Sequence, residues 1–218
     1  MDHSFWQQRW ENQQIGFHSA TINPYLQHYW PELAIAPNSR VLVPLCGKTQ
    51  DMLWLQKQGY RVVGVELSPL AVSAFFSENG LSPSHRELGD FRISAAGGIE
   101  IICGDFFSLS PKQLGPVAGV FDRAALVALP ESMRLDYVSQ LKRLLTPATP
   151  ILLVSFDYDQ AEMAGPPFAV DSQAIENLYQ DWCDIRLLSS HDLLEQDPHF
   201  KQRGVSQMQE QVYRIQLR

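Results

Sequence analysis

Along the chain, short apolar runs alternate with stretches whose apolar positions recur every three or four residues. The short runs predict strands at residues 40–45, 61–67, 117–122, 151–156, 184–189 and 209–217, and the longer stretches predict helices near 50–58, 69–79, 131–145 and 172–180. Residues 85–103 read as a hairpin turning at Gly97-Gly98, with Phe91, Ile93 and Ala95 alternating on one arm and Ile99, Ile101 and Cys103 on the other. The clearest amphipathic helix is 131–145, where Leu135, Val138, Leu141 and Leu145 share a face. In the last run, Tyr213, Ile215 and Leu217 alternate with Arg214, Gln216 and Arg218, the pattern of a half-exposed antiparallel strand near a sheet edge. Strand and helix in alternation predict an α/β domain with a largely parallel sheet, spanning residues 1–218 as one unit.

Local punctuation supports these boundaries. Pro44 cannot donate to a central ladder and so ends the first strand. Gly59 and Gly80 are helix stops, and Ser68-Pro69 is an N-cap followed by proline at the first helical position. Residues 1–35 form an N-terminal arm. Ser4 is its expected first cap, Trp6 and Trp10 lie one helical turn apart, and Pro24 and Pro31 bracket a second short amphipathic piece.

Composition narrows the functional classes. The 218 residues, 45% hydrophobic, suffice for one sizeable core. The net charge is −7 and no Lys/Arg run occurs, which argues against a nucleic-acid partner and against a steered anionic substrate. No apolar run is long enough to span a membrane, and the first residues lack the basic-then-apolar layout of a secretion signal. Cys46, Cys103 and Cys183 are far apart, so neither a disulfide framework nor a zinc site is indicated and a cytoplasmic location is expected. The six histidines show no paired ligand spacing, so no metal is expected.

Ligands of open parallel sheets bind beyond the carboxyl ends of the strands, so the residues just past each strand are the candidates. Residues 44–49, Pro-Leu-Cys-Gly-Lys-Thr, form a sharp loop with one glycine, which is either a plain strand-to-helix turn or a place where a ligand approaches the backbone. It is not a G-x-G-x-x-G loop, which weakens a dinucleotide reading. Glu66 closes the second strand roughly 20 residues past Leu45, the spacing of an acid that grips a ribose, and four apolar or glycine residues before it favour burial over a solvated strand end. Asp105 follows the hairpin. It is either a turn acid beside core aromatics or an acceptor for an adenine amino group, with the next amide donating to the ring and Phe106 or Phe107 covering it. Asp122-Arg123 is a charged pair at a central strand tip, costly unless paired or functional, and the planar fork of Arg123 suits a planar polar ligand better than a structural ion pair does.

Several long strings resemble the thiopurine S-methyltransferase family: FWQQRWENQQIGFH, VLVPLCGKTQDMLWLQKQGYRVVGVELSPLAV, GDFF, FDRAALVALP, GPPF, and the late RG followed by EQVYRI. The resemblance runs from about Phe5 to Arg214. It implies a Rossmann-like class I methyltransferase fold: a seven-stranded, mostly parallel sheet with helices on both faces, an antiparallel last strand, and residues 1–35 as a lid. It implies a monomer that uses S-adenosylmethionine and releases S-adenosylhomocysteine. Matching positions place Trp10, Leu45, Glu66, Asp105, Phe106 and Arg123 at the cofactor, and Phe17, Arg123 and His199 at the acceptor, with Arg123 as the catalytic residue. In DPHFKQRG the family often carries arginine where His199 stands, and Arg203 lies nearby.

The resemblance further implies methyl transfer to the sulfur of a small aromatic or heterocyclic thiol. Inorganic or small organic sulfur, selenium or tellurium compounds are alternative acceptors. A non-catalytic S-adenosylmethionine sensor and an NAD-dependent oxidoreductase are readings of other classes.

Overall fold

The computed structural model describes residues 3–16, 18–194 and 198–218, without the side chains of His3 and Pro198. The chain forms two compact units, Met1–Phe121 and Asp122–Arg218.

The first unit opens with α1 (His3–Glu11) and α2 (Pro24–Tyr29), followed by a 3-10 turn, Trp30–Leu33. Ser4, the expected cap, lies inside the first turn of α1, which is already helical at His3. Asn23 caps α2 by accepting from the amides of Tyr25 and Leu26. Leu26, Trp30 (1% exposed) and Leu33 are buried, so this half of the arm belongs to the core of its unit. Gly119 makes room for it: a Cβ there would strike the side chain of Ile35.

Then follow β1 (Arg40–Val43), α3 (Asp51–Lys57), β2 (Arg61–Glu66), α4 (Pro69–Glu78), β3 (Ser84–Leu88), β4 (Phe91–Ala96), β5 (Ile99–Cys103), α5 (Pro111–Leu114) and β6 (Gly119–Arg123). Strands β1 and β2 are parallel in register Val43↔Gly64, β2 and β5 are parallel in register Glu66↔Cys103, and β1 is parallel to β6 through Val41↔Gly119. The expected Gly97-Gly98 hairpin joins β4 to β5 in antiparallel register Ala96↔Ile99. A further strand, β3, pairs with the outer side of β4. Its sequence, Ser-His-Arg-Glu-Leu, is almost wholly exposed, so no hydrophobic alternation announces it. Ser68 caps α4 through the Ala71 amide, as the Ser-Pro signal predicts.

The second unit contains α6 (Glu131–Leu144), β7 (Pro150–Tyr158), α7 (Ser172–Tyr179), β8 (Cys183–Asp192), α8 (Pro198–Gln202) and β9 (Met208–Leu217). Here β9 pairs antiparallel with both β7 and β8. Thus β9 is an inner strand of this unit, with Met208, Val212, Tyr213, Ile215 and Leu217 buried, and the exposed neighbour is β8. Of the apolar face expected for α6, Val138, Leu141 and Leu145 are buried, together with Arg134, Tyr137 and Leu144, whereas Leu135 is 66% exposed and lies outside it. The burial of Arg134 is compensated by its Nε donating to the Leu129 carbonyl at 3.1 Å.

Nine strands occur among the described residues, two more than the seven expected, and antiparallel pairs flank the parallel centre of the first unit and make up the second.

Candidate active site

At the carboxyl ends of β1, β2 and β5 the first unit gathers most of the residues singled out from sequence. The chain leaves β1 through Leu45 in a left-handed conformation (φ 46°) and turns again at Gly47 (φ 52°). Left-handed backbone strains a residue with a Cβ, so this loop is held by its surroundings. The Cys46 amide donates to the Val65 carbonyl at 3.0 Å, and the Gly47 amide donates to Glu66 Oε2 at 2.7 Å. The other carboxylate oxygen, Oε1, accepts from the Ser68 amide at 2.8 Å. One side chain therefore organises both the loop after β1 and the start of α4.

Glu66 is only 6% exposed. Burial raises its carboxyl above the usual range, while the amides of Ser68, Gly47 and Leu67 pull it back. Each oxygen takes one amide at short distance and the Leu67 amide adds a third, so of a carboxylate's roughly four acceptor positions about one is left for a donor of another molecule.

Trp10, half-buried on α1, lies over Gly47: a Cβ on that glycine would sit 3.2 Å from the indole. The absence of a side chain at Gly47 thus permits both the φ and the approach of the ring. Nearby, Lys48 pairs with Glu78 at the end of α4 at 2.7 Å. Asp51, buried at the start of α3, accepts from the Asn23 amide at 2.7 Å and from the Thr49 hydroxyl at 2.8 Å. These two links brace the loop on either side, and no sequence signal pointed to either.

Beyond β5, Gly104 donates its amide to the Glu66 carbonyl at 2.9 Å and packs against the Phe91 ring, leaving no room for a Cβ. Asp105 follows as the cap of a 3-10 turn, Phe106–Ser108: Oδ1 accepts from the Phe107 amide and Oδ2 from the Ser108 hydroxyl, each at 3.0 Å. The Phe106 ring is 2% exposed and fills the core, and of the two aromatics Phe107, half-buried, is the more accessible.

In the second unit, Arg123 closes β6 and is half-buried. Asp122, before it, is turned into the core and binds Tyr137 and Leu126. The loop 165–168, Gly-Pro-Pro-Phe, is tied down by the Tyr158 hydroxyl donating to the Pro167 carbonyl at 2.7 Å and by the Phe168 amide donating to the Val127 carbonyl at 2.7 Å. His199 is exposed on α8, its ring 5.8 Å from that of Phe200, and Arg203 is exposed just beyond the same helix. Phe200 packs against a cluster of Tyr158, Met163, Val205 and Met208, and Glu162 ties that region to Ser206 by accepting from its amide (2.8 Å) and hydroxyl (2.6 Å). Phe17 lies outside the described residues.

The three cysteines are free, and burial pushes the thiols of Cys103 and Cys183 up to about 11 and about 12. Thiols held that high are poor nucleophiles near neutral pH. Among the described residues no group of three His, Cys, Asp or Glu side chains is arranged to hold a metal ion, and no helix is long and apolar enough to cross a membrane.

Comparison with known proteins identifies the fold and the family. Among solved structures, a S-adenosylmethionine-dependent methyltransferase from Anabaena variabilis superposes with a TM-score of 0.64 at 15% identity, covering 99% of this chain and 95% of that one. The 1,6-didemethyltoxoflavin-N1-methyltransferase of Burkholderia thailandensis, solved with 1,6-didemethyltoxoflavin and S-adenosylhomocysteine, gives 0.63 at 14% identity over 97% of this chain and 86% of that one. At such identities the likeness establishes the class I methyltransferase fold. Curated thiopurine S-methyltransferases are far more similar in sequence. That of Nitrosospira multiformis is 52% identical over 100% of this chain and 99% of its own length, and that of Azotobacter vinelandii is 48% identical over 100% of both. The family profile described as thiopurine S-methyltransferase matches residues 1–218, and the chain therefore belongs to the thiopurine S-methyltransferase family.

Proposed function

We propose that the protein transfers the methyl group of S-adenosylmethionine to the sulfur of a small aromatic or heterocyclic thiol, a thiopurine being the type acceptor. The observation that carries the cofactor assignment is the Glu66–Gly47 pair: a buried carboxylate, fixed by backbone amides with an acceptor position to spare, at a turn that lacks a side chain. Ribose hydroxyls are donors that a carboxylate at this strand end would accept, and a backbone without a Cβ admits close approach of the ligand.

When bound, S-adenosylmethionine supplies an electrophilic methyl on a sulfonium. The chain's own contribution is to hold, orient and shield. Glu66 grips the sugar, and Leu45 and Gly47 present backbone to the amino-acid tail. Asp105 and the Phe106 amide serve the adenine edge, with Phe107 beside them. Trp10 on α1 covers the turn, and residues 1–35 act as a lid whose moving part is α1, since Leu26, Trp30 and Leu33 are buried. Arg123 orients the acceptor and favours its thiolate form, and the family resemblance implies acceptor-binding roles for Phe17 and His199. Holding sulfur and methyl in attack geometry contributes up to roughly 7–11 kcal/mol for ideal alignment, so no strong general base is required of an acidic aromatic thiol. The net charge of −7 without a basic run speaks against a nucleic-acid partner, three separate free cysteines fit a reducing cytoplasm, and the family resemblance implies a monomer acting on a small molecule.

A panel of acceptors with methyl-labelled S-adenosylmethionine tests the reading. Labelled product is expected with 6-mercaptopurine and aromatic thiols. Transfer only to selenite, tellurite or small alkyl thiols would shift the acceptor class, and binding of S-adenosylmethionine with no transfer to any acceptor would leave a sensor.

A further inference from the structure

The segment after β6 is organised around one carboxylate. Asp122 is 0% exposed. Its Oδ1 accepts from the Leu126 amide at 3.2 Å and its Oδ2 accepts from the Tyr137 hydroxyl, on α6, at 2.7 Å. Between the two ends of this brace the chain passes Arg123 and then Ala124, which has φ 60°, a left-handed conformation that costs a residue with a Cβ. The following 3-10 turn closes with the amides of Ala128 and Leu129 donating to the carbonyls of Ala125 and Leu126 at 3.0 and 3.1 Å. From Phe121 to Leu129 every residue is buried except Arg123 and Ala124.

Packing alone does not call for a carboxylate in this place, since an apolar side chain of similar volume would fill it without the desolvation that a buried acid suffers. What the acid provides is acceptance of two specific donors, one of which belongs to the turn and the other to a helix in the core. Together they hold a backbone conformation that Ala124 does not favour by itself.

We propose that Asp122 is a positioning residue: anchored by Tyr137, it holds the Leu126 amide, locks the left-handed turn at Ala124 and so sets the direction in which Arg123 leaves β6. This rests on the acceptor-orienting role given to Arg123 above. Arg123 would meet the acceptor, and Asp122 would act only through it.

The test is a cycle of variants assayed for methyl transfer from labelled S-adenosylmethionine to 6-mercaptopurine. D122A is expected to lower kcat about tenfold or more, with KM for S-adenosylmethionine little changed, while D122N, which keeps an oxygen for the Leu126 amide, loses far less. In an R123A background D122A is expected to add less than about a twofold loss, because a residue that acts through Arg123 has nothing left to position. A124G, which adopts φ 60° without steric cost, is expected to restore part of the kcat lost in D122A. Should D122A not fold, Y137F, which removes only the anchor, enters the same cycle with the same expectations at smaller amplitude. Equal fold losses in the parental and R123A backgrounds, or no restoration by A124G, would overturn the positioning role while leaving Arg123 in place. A parental rate in R123A itself would instead remove the role of Arg123, and the proposal with it.

Discussion

The Gly47 amide donates to Glu66 Oε2 across 2.7 Å, which makes the turn after β1 and the acid closing β2 one structural piece. Neither residue has a replacement that keeps both functions. A side chain at Gly47 would meet Trp10, and any group at 66 other than a carboxylate leaves the Gly47 or the Ser68 amide without its acceptor.

Glu66→Gln sets an NH2 group against one of those two amides. Hydrogen bonds to charged groups contribute about 1.5–3 kcal/mol, so affinity for S-adenosylhomocysteine is expected to fall roughly 10–100-fold in titration calorimetry. Unchanged affinity would take Glu66 out of the site.

Gly47→Ala places a Cβ at φ 52° and 3.2 Å from the Trp10 indole. Left-handed strain alone is about 1–2 kcal/mol, and the ring must shift as well. The variant is expected to melt several degrees lower and to bind S-adenosylhomocysteine more weakly. A variant with parental melting and affinity would show that the indole and the turn are independent.

Asp122 gives a pH dependence whose sign is set by burial. Desolvation raises its carboxyl to about 6 against the opposing hydrogen bonds from Tyr137 and Leu126, and the ring of Tyr179, whose own hydroxyl is buried, is close enough to feel its charge. The unfolded chain gives up this proton near pH 4, so between about pH 4 and 6 the folded state holds the proton more tightly. The stability contributed by the neutral acid is therefore full below about pH 4 and lost as pH rises through about 6. Measured against D122N, which carries no charge there, the parental protein is expected to lose on the order of 2–3 kcal/mol between pH 4 and 7 and to change no further above. A constant difference in melting temperature from pH 4 to 8 would mean that Asp122 titrates normally.

The buried face of α6 separates two leucines. Leu135→Glu is expected to change stability by less than about 0.5 kcal/mol, because Leu135 is 66% exposed. Leu141→Ala is expected to cost about 2–5 kcal/mol, because Leu141 is fully buried. Chemical denaturation of the two variants distinguishes this face from one centred on Leu135.

What could be read in advance depended on how local the cause was. Ser68-Pro69 capped α4 as its chemistry dictates, Gly97-Gly98 turned β4 into β5, and Glu66 ended β2 in a buried position, because each follows from a neighbour in the chain or from an unbroken apolar run. Strand β3 escaped notice because an exposed polar edge strand carries no period-two signal. On α6 the expected positions Val138, Leu141 and Leu145 are buried and only Leu135 is not, because it sits at the border of the stripe and the burial of Tyr137 and Leu144 centres the face away from it.

By itself the sequence determined the alternation of strands and helices, the family, and which strand ends carry chemistry-bearing residues, since periodicity, capping and turn preferences act over a few residues. Only the tertiary structure decided that Glu66 holds Gly47 and Ser68, that Trp10 lies on a glycine, and that Asp122 faces Tyr137 and not its neighbour Arg123. Those pairings join residues far apart in the chain, and whether a buried charge becomes ligand, anchor or cost is settled by the donors that folding brings to it.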